Sequence, residues 1–138
     1  MTAKKVAIFI LSGDAACFGH ALLKALEFYE NGDEVKVIIE GTATNLIREL
    51  ADPEKPFSLT YSNVKKLGLI GCVCNTCSAQ FGALKSAEEQ GLLVCSRELE
   101  HPSRSRYIDS GYEVIDSSTH SCTMCRTWDT FEPYWIKQ

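Results

Sequence analysis

Four of the seven cysteines in this chain of 138 residues form two Cys-x-x-Cys pairs, Cys74-Asn75-Thr76-Cys77 and Cys122-Thr123-Met124-Cys125. Cys72 stands two positions before the first pair, and Cys17 and Cys95 lie apart from both. This spacing suits two kinds of chemistry. A thiol pair can accept and pass on sulfur, or open and close a disulfide. Two pairs joined by a long spacer can instead chelate one zinc or iron ion, each pair supplying two thiolates. Cys74 and Cys77 are therefore the candidate catalytic thiols, and Cys74, Cys77, Cys122 and Cys125 the candidate metal ligands. The Cys74 pair falls between an apolar run and a helical stretch. Unpaired N–H groups and the helix dipole would there favour thiolate, lowering the pKa from its usual value of about 8.5.

Other residues could serve the same chemistry. His20, three positions after Cys17, is a candidate base or ligand, against the plainer reading of a solvent-facing or hydrogen-bonded histidine. His120, two residues before Cys122, could replace a cysteine in a mixed site, whereas His101 before Pro102 reads as turn punctuation. Arg97, Arg104, Arg106 and Arg126 all follow strand ends. They form either an anion-holding cluster or an ordinary solvated surface.

The elements that must position these residues alternate between strand and helix. Val6 to Leu11 reads as a buried strand. A helix follows from about Cys17 to Glu30, with Leu22, Ala25, Leu26 and Tyr29 recurring at helical spacing and Asn31-Gly32 as its stop. Glu34 to Ile39 is a second strand, followed by a short helix around Thr44 to Leu50. Asp52-Pro53-Glu54-Lys55-Pro56 opens a long surface loop reaching Val64. Lys66 to Val73 gives a third strand, Ser78 to Gln90 one helix, and Leu92 to Cys95 a fourth strand. Pro102 sits at the first position of a short helix ending near Ser110, and Tyr112 to Asp116 is the fifth strand.

Alternation of this kind predicts an α/β fold, a five-stranded, mostly parallel sheet with helices on both faces. In such sheets every strand ends at one edge, where ligands bind. All seven cysteines are expected at or near that edge.

Composition narrows the function classes. The chain fits one domain with a sizeable core, and its 45% hydrophobic and 23% charged content is ordinary for a globular protein. A formal charge of −4 argues against a nucleic-acid partner. No apolar run approaches the roughly 18 residues of a membrane span, so no membrane partner is expected. The opening residues lead into a strand with no cleavage signal, which predicts a cytoplasmic protein whose thiols stay reduced. An odd cysteine count also fits poorly with a disulfide framework. There is no dinucleotide fingerprint, phosphate loop or serine nucleophile elbow.

A family resemblance adds to this reading. Gly71 to Gly82, GCVCNTCSAQFG, resembles the DsrE-like (DsrE/DsrF-like) sulfur-relay family, in which an apolar strand runs into Cys-x-Thr-Cys and then a helix with an early glycine. Cys74, Thr76, Cys77 and Gly82 fall on that pattern. VAIFIL and AACFGHALLKALEFYENGDEVKVIIEG look like the family's first β-α-β unit, and the similarity spans roughly Lys5 to Ser117. The resemblance implies a DsrE-like three-layer α/β/α domain over residues 1–117 and a homo-oligomer, trimer or hexamer. It also implies cysteines that carry sulfane sulfur between donor and acceptor proteins or small thiols. Residues 118–138 depart from the pattern as an extension carrying the second Cys-x-x-Cys with Trp128, Phe131, Tyr134 and Trp135. It is expected to pack on the same domain or a sister subunit, with a partner-binding peptide as the alternative. That extension leaves two functions open, a sulfur or thiol relay and a zinc-stabilised structural or interaction protein.

Overall fold

In the computed structural model the described residues are 4–95 and 104–117. They form one sheet of five strands, all parallel, in the order β4-β3-β2-β1-β5. The strands are β1 (Lys5–Ile10), β2 (Glu34–Ile39), β3 (Ile70–Cys74), β4 (Val94–Cys95) and β5 (Glu113–Ser117). The helices are α1 (Ala15–Glu30), α2 (Asn45–Leu50), α3 (Ser58–Lys66), α4 (Asn75–Gln80), α5 (Leu84–Glu89) and α6 (Arg104–Asp109), with a 3-10 turn over Gly41–Thr44. The α/β class expected from the sequence is what the chain adopts.

The unbroken apolar run of β1 follows from its place in the sheet. It pairs with both β2 and β5, and Val6 to Ile10 are fully buried. From β1 to β4 the chain steps steadily across the sheet, so right-handed crossovers lay their helices on one face. The return past β1 to β5 reverses direction and puts α6 on the other. Side chains record the division. Val6, Ile8, Ile10, Val37, Ile39 and Val73 share a core with residues of α1, α2, α3 and α5. Ala7, Phe9, Ile38 and Cys72 form a smaller core on the second face, with Tyr107 of α6 and Tyr112 packed against it. Tyr107 stands edge-on to Phe9 and to Tyr112, with ring centroids 5.6 Å and 5.4 Å apart.

Three local expectations are corrected. The stretch after Pro56 is helix, not loop: α3 buries Tyr61 and Val64 against α1. Only two large apolar residues mark that buried face, so its periodicity is faint. One helix over residues 78–90 is instead two, because Gly82 adopts φ +72° and ends α4, while α5 begins at Leu84. The third strand starts at Ile70, since Lys66 closes α3 and Gly68 turns the chain at φ +73°.

A bulge at Gly71 matters most for the cysteines. Val37 pairs with Ile70, but the next residue, Ile38, pairs with Cys72, leaving Gly71 unmatched. In a regular strand Ile70 and Cys72 would share a face. The extra residue puts Ile70 against the larger core and Cys72 in the smaller one. Among the described residues no helix is long and apolar enough to cross a membrane.

Candidate functional site

Three loops meet at the carboxyl edge, after β1, β2 and β3. Asp14 caps α1 by accepting from Ala16 N–H at 2.9 Å, and Asp14 N–H in turn donates to Ser12 Oγ at 3.0 Å. The loops after β1 and β2 are stitched together through Thr42. Its Oγ1 accepts from Gly13 N–H at 2.8 Å and lies 3.2 Å from the Leu11 carbonyl. Gly41 passes so near β1 that a Cβ there would stand 2.9 Å from the Leu11 carbonyl oxygen, and it holds φ +63°. The third loop joins the second through Thr44, whose hydroxyl donates to Gly41 O at 2.9 Å and lies 3.4 Å from Cys77 O.

The first Cys-x-x-Cys pair sits on this frame. Cys74 is the last residue of β3 and is fully buried. Its backbone is extended, at φ −63° and ψ 125°, and its Sγ caps α4 by accepting from Cys77 N–H at 3.4 Å. Cys77 lies one turn on and is half-exposed. The expected depression of the thiol pKa is not found at Cys74. Burial pushes that thiol up to about 12, and the backbone bond from Cys77 offsets only part of the rise. A side-chain hydrogen bond to Cys77, the neighbouring Cys77 charge and the Glu40 carboxylate push further in the same direction. At six residues, α4 brings too few aligned peptides to outweigh desolvation.

Cys72 and Cys95 are joined by a disulfide from β3 to the edge strand β4, with Cα atoms 5.6 Å apart. For Cys72 and Cys95 this corrects the expectation that the thiols stay reduced; Cys17, Cys74 and Cys77 are not in a disulfide. Cys17 lies in the first turn of α1, directly after the β1 loop. It is buried in the larger core, on the face of the sheet opposite Cys72. His20 stands edge-on to Phe57 at the start of α3, with centroids 6.2 Å apart. Arg106 is exposed on α6, and Arg104 opens that helix. Cys122, Cys125, His120, His101, Arg97 and Arg126 lie outside the described residues. Among the described residues no group of three or more His, Cys, Asp or Glu side chains is placed to hold a metal ion.

Sequence reasoning missed two participants. Glu40 is 9% exposed, and its charge reaches Cys74. The signal was a lone carboxylate closing the apolar run Val37-Ile38-Ile39, just before Gly41. Ser78, one residue beyond Cys77, is fully buried with no hydrogen-bond partner for its hydroxyl among the described residues. A separate cavity of about 290 Å³ between α2 and α3 is lined by Leu50, Pro53, Ser58, Tyr61 and Lys65, with no cysteine among its described lining residues.

No family model matches the chain. It is 35% identical over 98 residues to the uncharacterized protein MJ0733 of Methanocaldococcus jannaschii, spanning 70% of this chain and 77% of that protein. The chain belongs to the MJ0733 family. Two uncharacterized proteins of Archaeoglobus fulgidus match shorter stretches. One is 52% identical over 44 residues, covering 32% of this chain and 72% of that protein. The other is 53% identical over 34 residues, covering 25% and 92%. The fold of this MJ0733-family chain is shared by BT1422 of Bacteroides thetaiotaomicron, a solved structure described as a conserved protein of unknown function. The TM-score is 0.64 at 16% identity, over 82% of this chain and 94% of that one.

Proposed function

We propose that the chain is a cysteine-based sulfur and thiol relay working through Cys77 and Cys74. The observation that carries this reading is a half-exposed thiol held one helical turn above a buried one, at the edge where a parallel sheet binds ligands. Cys77 is the sulfur that a partner can reach. Its thiolate attacks the outer sulfur of a donor persulfide, R–S–SH. A Cys77–S–SH bond forms, the donor S–S bond breaks, and R–S⁻ leaves to take up a proton. An acceptor thiolate then attacks that outer sulfur, and Cys77 departs as thiolate.

Cys74 has a different part. Burial keeps it protonated at neutral pH, so its S–H is available to negative charge developing on the Cys77 sulfur. Where no acceptor arrives, Cys74 can attack the inner sulfur of the persulfide. That step closes a Cys74–Cys77 disulfide and breaks the persulfide S–S bond, and the departing HS⁻ takes up the proton that Cys74 gives up. The resemblance of Gly71 to Gly82 to DsrE-like proteins supports the same assignment.

The test is to incubate purified full-length chain with a small-molecule persulfide, remove the excess and measure cyanide-labile sulfur, with metal analysis alongside. The relay predicts about one labile sulfur per chain, lost in Cys77→Ser and retained in Cys74→Ser. A stoichiometric zinc ion would contradict it if Cys74, Cys77, Cys122 and Cys125 become titratable only after chelation.

A further inference from the structure

The cysteines of β3 and β4 form a second arrangement that the transfer step does not use. Cys95 is the register partner of Cys74, while its sulfur is bonded to Cys72. Alternation along β3 places Cys72 and Cys74 on the same face, and a register partner in a parallel pair points to that face too. The packing agrees, because Cys72 and Cys95 share the smaller core, whereas Val73 and its partner Val94 belong to the larger one. Cys95 is thus flanked on one face by two cysteines of the neighbouring strand. Adjacent strands lie about 4.8 Å apart. That spacing falls within the roughly 4.4–6.8 Å between Cα atoms that a disulfide accepts. Either bond to Cys95 is compatible with the sheet as it stands.

We propose that Cys72–Cys95 is an internal disulfide store that exchanges with the Cys74–Cys77 pair, so that one disulfide migrates between the core and the accessible edge. In the first step Cys74, on losing its proton, attacks Cys95 Sγ. The Cys74–Cys95 bond forms, the Cys95–Cys72 bond breaks, and Cys72 leaves as thiolate. In the second step the Cys77 thiolate attacks Cys74 Sγ, forming Cys74–Cys77 and releasing Cys95. Each step exchanges one S–S bond for another, and no external oxidant is consumed. The chain ends with a disulfide at the half-exposed Cys77, the form that would oxidise a partner bearing two thiols. A mixed disulfide forms at Cys77, and the partner's second thiolate resolves it. The partner leaves as a disulfide, and Cys74 and Cys77 are left reduced. The Gly71 bulge decides which face carries this arrangement, since without it Cys72 and Cys74 would share the Ile70 face.

This inference builds on Cys74 and Cys77 as the working pair, but its readout does not depend on sulfur loading. Full-length Cys77→Ser, held at mildly alkaline pH without reductant, is quenched in acid, alkylated and mapped by fragmentation of its linked peptides. Exchange should stall at the first step, giving loss of the Cys72–Cys95 linkage, gain of Cys74–Cys95 and alkyl label on Cys72. Wild-type chain should instead gain the closed Cys74–Cys77 pair, with label on both Cys72 and Cys95. In a second variant, Cys72→Ser, Cys95 should pair with Cys74 when oxidised glutathione is added. Cys72–Cys95 persisting unchanged in Cys77→Ser would overturn the proposal, as would a Cys95 that stays fully alkylatable in oxidised Cys72→Ser. A chain that loads cyanide-labile sulfur yet never links Cys74 to Cys95 would keep the transfer reading and lose this one.

Discussion

The contrast between Cys74 and Cys77 can be measured directly as alkylation rates. In Cys77→Ser whose Cys72–Cys95 disulfide has first been reduced, so that no exchange ties up Cys74, the largest cause of the raised Cys74 pKa, burial, remains, and only the smaller contributions of the Cys77 side chain are lost. An ordinary thiol, with a pKa of about 8.5, is roughly one-quarter thiolate at pH 8. One pushed up to about 12 is about one ten-thousandth thiolate at that pH. Cys74 should therefore react with iodoacetamide at least about a thousandfold more slowly than a solvent-exposed cysteine peptide. The full burial of its side chain adds steric protection in the same direction. Its rate should rise about tenfold per pH unit from pH 7 through 10 without a plateau, whereas an ordinary thiol levels off above pH 9. Site-resolved mass spectrometry over a time course at each pH supplies both rates. A Cys74 rate within about tenfold of the peptide at pH 8, or a plateau below pH 9, would refute burial as the dominant influence.

Gly41→Ala should cost about 1–3 kcal/mol in urea unfolding, because its new Cβ would meet the Leu11 carbonyl at 2.9 Å in a left-handed backbone. Gly19→Ala places a Cβ 2.4 Å from the Phe57 ring, itself held at φ 69°. The resulting overpacking should outweigh the roughly 1 kcal/mol gain in helix propensity, so the midpoint falls. Tyr61→Phe removes a 2.7 Å bond from its hydroxyl to Gln90 Oε1 and should cost about 0.5–1.5 kcal/mol, limited because Lys65 still donates to that oxygen at 2.9 Å. Alkaline titration should destabilise the fold. Unfolded cysteine loses its proton near pH 8.5 while folded Cys74 holds it to about pH 12, so the folded state binds more protons and stability falls across that window. Cys74→Ala should reduce that slope in pH-dependent unfolding.

The sheet was legible because its strands are short apolar runs punctuated by turns, as in Val6 to Ile10 and Val35 to Ile39. Less visible was α3, whose inner face rests on Tyr61 and Val64 amid polar neighbours. The cysteine-rich edge was read correctly for Cys74, Cys77 and Cys95, but strand order alone did not say which face each thiol takes. That is decided by the bulge at Gly71, a tertiary feature set by pairing with β2. The direction of the Cys74 pKa was misread for a related reason. A helix start was visible in the sequence, but the break at Gly82 that shortens α4 and the burial of Cys74 were not. Glu40 carried a signal in its position at the end of an apolar strand. Its influence on Cys74 depends on β2 and β3 being neighbours.

The central claim is that Cys77 is where transferred sulfur first lands. Intact-protein and peptide mass spectrometry, after brief exposure of the full-length chain to a persulfide donor and trapping with an alkylating agent, tests it most directly. Sulfur transfer through Cys77 predicts the added mass of a single sulfur atom on Cys77, absent from Cys77→Ser and present in Cys74→Ser. Added sulfur on Cys74 with Cys77 unmodified, or none on either while both stay locked until a chelator is added, would contradict it.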